Sequence, residues 1–162
     1  QNFSDEKFLL MEKADEDRIP KKVMRMFMCQ YLLSKTYKDM FDENKILSAY
    51  SDETERFEAH HIIPLGTVKK VGESTKKLRD DEKNICNSPL NFVYITKKAN
   101  KEISDESLKD YVQKINAEAK AKLHITAYTN SDIPQDQVKQ ILRERYDFLK
   151  GDIRERISTL LS

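Results

Sequence analysis

A chain of 162 residues can form one domain with its own core, and a composition of 38% hydrophobic and 35% charged residues implies a water-soluble, helix-rich protein with a charged surface. Three glycines and four prolines exclude a turn-rich β-sandwich, and 29 Lys+Arg against 28 Asp+Glu, a formal net charge of +1, exclude a histone-like polycation, so any nucleic-acid-binding surface must be local. Cys29 and Cys86 form no C-x-x-C pair, which excludes half of a structural zinc site; they read as reduced core cysteines of an intracellular protein.

In chain order, Ser4-Asp5-Glu6-Lys7 is a helix-capping sequence, and Pro20 is placed to open a second, better-defined helix. From Lys21 to Phe41 the residues Val23, Met24, Phe27, Met28, Tyr31 and Leu32 recur at three- and four-residue spacing, a core-facing stripe rather than a ligand groove. Residues 55–63 predict a short strand stopped by Pro64. Periodicity fails from Leu65 to Ser88, so this stretch reads as a long irregular loop. The aromatic and β-branched run Leu90–Thr96 predicts a second strand, and Lys97–Glu102 a short helical turn. Ser104 opens a helix whose apolar set is Leu108, Tyr111, Val112 and Ile115. After a break at Thr129–Asp132, Pro134 opens a final long helix carrying Val138, Ile141, Leu142, Phe148, Leu149, Ile153, Ile157 and Leu160, with Gly151 as a possible interruption.

The chemistry-bearing residues begin with His60-His61, two of only three histidines in the chain. Side chains alternate along a strand, so both reach one site only if the strand ends or kinks there, which Pro64 makes reasonable. Phosphodiester hydrolysis at neutral pH needs a base to deprotonate water and a cation to neutralise charge. One imidazole can serve as the base, since its ordinary pKa of about 6.5 leaves it largely neutral, and the other as a metal ligand. His124, flanked by Leu123 and Ile125, reads as a hydrogen-bonded structural histidine rather than a third ligand, and Asp80-Asp81-Glu82 as a solvated loop face.

With His60-His61-Ile62-Ile63-Pro64, then Asn91 and Asn100 nine residues apart, the sequence resembles the HNH (ββα-metal) endonuclease family over about a third of its length. The resemblance implies an α+β, predominantly helical fold, with a ββα-metal nuclease core flanked by N- and C-terminal helices. Residue by residue, it implies that His61 is the general base, that His60 and Asn100 ligate the metal, and that the Asn91 amide fixes the loop and orients the base. The 30 positions from His61 to Asn91 exceed the gap in compact members, and Asn84 and Asn87 compete for the structural role; Asn91 is preferred because it gives the nine-residue spacing with a hydrophobic strand behind it. Two neutral ligands leave an octahedral ion open to water and phosphate oxygens, which suits one Mg²⁺, with Mn²⁺ or Ni²⁺ able to substitute and Zn²⁺ able to bind. His-Ile-x-Pro, Pro-Leu-Asn-Phe-Val-Tyr-Ile, Asn-Lys-Glu-Ile-Ser and the tail Tyr146-Asp147-Phe148-Leu149 are further similar to the C-terminal nuclease module of bacterial modification-dependent restriction and phage-defence proteins. That likeness implies an N-terminal nucleotide-hydrolysing or recognition domain as partner.

The basic residues suit a duplex-DNA substrate. Lys69, Lys70, Lys76, Lys77 and Arg79 lie in the long loop, and Lys97, Lys98 and Lys101 surround the expected ligand Asn100, so phosphate contact is expected with weak sequence preference. The expected organisation is one nuclease domain over 1–162, with helical support in 1–54, the ββα core in 55–103 and a helical part in 104–162. The start at Gln1 reads as excision from a longer protein. With no signal-peptide pattern and only short apolar runs, a cytoplasmic location without membrane contact is expected. The expected function is metal-dependent DNA cleavage; the alternative is a catalytically inactive HNH-like module that binds nucleic acid or protein.

Overall fold

The computed structural model describes residues 21–35, 41, 57–68, 72–81, 83–103, 106–125 and 133–161. The sequence expectations at Ser4, Pro20, Lys69, Lys70, Glu82 and Thr129–Asp132 lie outside these residues. The described elements are helices joined around one two-stranded antiparallel sheet, an α+β and predominantly helical architecture.

Helix α1 (Lys21–Lys35) buries Met28, Tyr31 and Leu32, the C-terminal part of the predicted stripe. Strand β1 (Phe57–His61) pairs with β2 (Phe92–Thr96) in a register that sets His60 opposite Val93 and His61 opposite Phe92. β1 ends earlier than the sequence implies, because Ile62 and Ile63 bend away after His61 and bury their side chains instead of continuing the pleat.

Among the described residues, the stretch expected to be an irregular loop is largely helical. It contains α2 (Leu65–Val68), α3 (Thr75–Asp80) and a 3₁₀ turn, Ile85–Asn87, and a second 3₁₀ turn, Pro89–Asn91, follows it. Each of the last three is capped by a side chain: Ser74 accepts from Lys77 N, Asn84 from Cys86 N at 2.9 Å, and Ser88 from Leu90 N at 3.2 Å. Segments of three to six residues are too short to display helical periodicity, although the caps themselves are ordinary ones. Asn91 accordingly closes the second 3₁₀ turn rather than opening the strand.

Helix α4 (Lys97–Ile103) follows β2 directly, with Thr96 as its cap, since Thr96 Oγ1 accepts from Ala99 N at 3.2 Å. The start predicted at Ser104 also lies outside the described residues; the apolar set predicted for that helix falls on α5 (Leu108–Tyr111), the 3₁₀ turn that follows it (Val112–Lys114) and Ile115 just after. Asn116 then caps a further helix, α6 (Ala117–Leu123), accepting from Ala119 N at 2.8 Å. The long α7 (Gln135–Leu161) runs through Gly151 without a break. Val138, Leu142, Tyr146, Leu149 and Ile153 form its buried seam, whereas Phe148, expected in that seam, is 55% exposed.

The core joins α1, Val93 and Ile95 of β2, α4, α5, α6 and α7. Tyr111 lies wholly inside it and donates its hydroxyl to Ile62 O. Arg145 of α7 is also buried; Nε donates to Leu123 O at 3.0 Å and Nη1 to Leu90 O. Burial holds its guanidinium below the usual arginine range. Two elements that never pair, α7 and the turn preceding β2, are therefore tied by one side chain. Among the described residues, no helix is long and apolar enough to cross a membrane, and Cys29 and Cys86 are unbonded thiols.

Candidate active site

The two histidines reach one cavity because β1 stops at His61. A cavity of about 570 Å³ is lined by both imidazoles together with Asn87, Asn100 and Arg79. The bend that follows the pair is held by Asn91, which is completely buried. Its Oδ1 accepts from Ile63 N at 2.9 Å, and its Nδ2 donates to Ile63 O at 3.3 Å and Cys86 O at 2.8 Å. Its own carbonyl accepts from Ile62 N at 2.8 Å. One amide thus satisfies both backbone groups of Ile63 where the ladder ends, a place where buried polar groups would otherwise be orphaned.

His60 is 7% exposed, and its ring stands edge-on to Tyr111, with centroids 5.4 Å apart. Its Nδ1 lies 3.1 Å from Asn100 Oδ1. The Asn100 amide cannot be turned over without loss, because its Nδ2 donates to Glu58 Oε2 at 2.8 Å. Glu58 and His60 are two apart on β1 and so share a face. Desolvation pushes the His60 pKa down, opposed in part by the Asn100 hydrogen bond, and this favours the neutral imidazole that a metal ligand requires.

Without metal, Asn100 Oδ1 accepts from His60 Nδ1–H; an ion bound by this pair would replace that proton, and the 3.1 Å between the two atoms is close to the roughly 3.0 Å between cis ligands of an octahedral ion. Among the described residues no group of three or more His, Cys, Asp or Glu side chains is placed to hold a metal ion; at this cavity the side chains of His60 and Asn100 could ligate one, with Glu58 behind Asn100. The nine-residue spacing has a simple origin: five residues of β2 and one turn of α4 carry the chain from Asn91 to Asn100.

His61 is half-buried in the same cavity, its ring 4.4 Å from that of Phe92. Its Nε2 lies 3.1 Å from Asn87 Oδ1. The amide that meets this imidazole is therefore that of Asn87, and Asn91 acts on the backbone of the bend. The sequence offers Asn87, with Asn84, as a competitor for the structural role, and the nine-residue spacing passes over it in favour of Asn91; Asn87 and Glu58 are the site residues the motif leaves out. Glu58 was accessible by the period-two rule from His60.

Lys76 and Lys77 are exposed on α3, the helix whose Thr75 and Arg79 line the cavity, and Lys97, Lys98 and Lys101 are exposed on α4, which supplies Asn100. Lys98 and Glu102 form a 3.8 Å pair between two exposed side chains, too solvated to immobilise either. Asp80 and Asp81 are exposed, as a solvated face would be. His124 stands apart. It ends α6 in the left-handed conformation at φ 50° and stacks on Phe148 at 4.3 Å, a structural role.

No curated protein and no solved structure matches the chain. Residues 4–150 match the family described as GmrSD restriction endonucleases, C-terminal domain. Because that match spans both strands, both histidines, the asparagines and most of α7, the chain belongs to the C-terminal domain family of GmrSD restriction endonucleases.

Proposed function

We propose that the chain is the nuclease module of a restriction system and hydrolyses DNA phosphodiester bonds, using His61 as general base and a single divalent ion held by His60 and Asn100. The observation that carries this reading is the convergence in one cavity of a buried, neutral-leaning His60, an Asn100 oxygen 3.1 Å from it, and a second, more accessible imidazole.

Bound there, Mg²⁺ or Mn²⁺ would neutralise charge on the scissile phosphate and the departing oxygen. His61 removes a proton from water as the water oxygen bonds to phosphorus; the P–O bond to the leaving strand breaks, and solvent returns a proton to that oxygen. Asn91 keeps the bend after His61 rigid, so that the base stays at a fixed height above the sheet. Arg79, at the cavity wall, receives a non-bridging phosphate oxygen. Lys76, Lys77, Lys97, Lys98 and Lys101 contact flanking phosphates, which positions the duplex without reading its bases. Recognition of modified or foreign DNA then belongs to a partner domain, a nucleotide-hydrolysing or recognition domain N-terminal to this one.

The test is cleavage of linear duplex DNA in Mg²⁺, Mn²⁺ or EDTA by the wild-type, His60→Ala and Asn100→Ala proteins. Metal-dependent cleavage that falls by at least about 100-fold in both variants is expected; cleavage in EDTA, or variants as active as wild type, contradicts the reading.

A further inference from the structure

Asn87 is buried, and its amide is held by α3. Nδ2 donates to Leu78 O at 2.6 Å and Asp81 O at 2.9 Å, with Arg79 O a third acceptor at 3.4 Å. Reversing the amide would turn an oxygen toward three carbonyl oxygens with no proton among them, so the orientation is enforced. Oδ1 must then face His61 Nε2, 3.1 Å away, and an acceptor-only atom in that position requires a proton on the nitrogen.

We infer that Asn87 is a positioning residue that fixes His61 as the Nε2–H tautomer, leaving Nδ1 as the nitrogen that accepts the proton. The inference rests on the reading of His61 as the base. When Nδ1 takes a proton from water, the imidazolium charge is shared with Nε2–H, and its hydrogen bond to Asn87 Oδ1 becomes charge-assisted and stronger. Asn87 therefore assists in two ways, by supplying the right tautomer before proton transfer and by stabilising the cation after it, without touching substrate. Its three anchors at the end of α3 also couple the base to the helix that carries Arg79, Lys76 and Lys77.

The experiment is long-range proton–nitrogen NMR on the full chain labelled with ¹⁵N-histidine, metal-free and near pH 8, with His61→Gln to assign the His61 signals. The wild-type protein should show a protonated Nε2 and an unprotonated Nδ1 at His61. In Asn87→Ala that tautomer should become mixed while the His60 and His124 signals stay in place, and kcat for DNA cleavage should fall on the order of 10-fold to 100-fold with KM little changed. A wild-type His61 protonated at Nδ1 overturns the inference whether or not any variant folds, as does an unchanged tautomer in folded Asn87→Ala. The tautomer is read without turnover, so loss of the nuclease reading and loss of the Asn87 assignment give separate results.

Discussion

At His60 and His61, adjacent imidazoles meet the same kind of partner, an amide oxygen whose amide is locked from behind, and differ mainly in burial. His60 lies inside the protein beside Tyr111, where desolvation disfavours its charged form, and His61 lies half-buried at the cavity wall. On the proposed function, this difference in environment is what divides a ligand from a base. The expected outcome is that His60→Ala lowers Mn²⁺ affinity by about 10-fold or more in titration calorimetry whereas His61→Ala leaves it within about 2-fold. Equal losses would mean that the two roles are not separated. Glu58 extends the same logic: Glu58→Ala frees the Asn100 amide to rotate, and Mn²⁺ binding should weaken although no ligand atom has been removed.

At the scale of elements, the site depends on β1 ending where it does. Asn91→Ala would remove three hydrogen bonds and orphan the buried Ile63 and Cys86 groups, at a cost of about 2–4 kcal/mol in urea unfolding. Tyr111→Phe should cost less, about 1–2 kcal/mol, since only the bond to Ile62 O is lost. Comparable costs for the two would show that Asn91 is not the principal clamp. The second strand, the long C-terminal helix and the Asn91–Asn100 interval were legible in the sequence, because a β-branched run, an apolar seam recurring from Val138 to Ile153 and a fixed motif spacing each leave a clear pattern. Helices α2 and α3 were not, since four and six residues complete too few turns for a period to emerge. Asn87 was visible only as a candidate: its role depends on the carbonyls of α3 folding back over it, and spacing does not report that.

For the whole molecule, Arg145 ties the far helix to the turn that leads into Asn91, and nothing in the periodicity of α7 marked a buried arginine. Arg145→Ala would orphan two carbonyls and open a cavity, a loss of about 3 kcal/mol that corresponds to about 6–12 °C in Tm for a chain of this length. A Tm shift below about 2 °C would show that the tie contributes little. Substrate engagement is also a property of the whole surface. Replacing Lys97 and Lys98 together with alanine should reduce the slope of log Kd against log salt by close to 2, one for each phosphate contact removed; an unchanged slope would place the duplex elsewhere. The most direct test of the central claim is nicking of supercoiled plasmid by the wild-type protein and by His61→Ala, each with Mg²⁺ and with EDTA. The account predicts metal-dependent nicking by the wild type that falls by at least about 100-fold in a folded, metal-binding His61→Ala protein; undiminished nicking by that variant, or none by the wild type with metal bound, would contradict it.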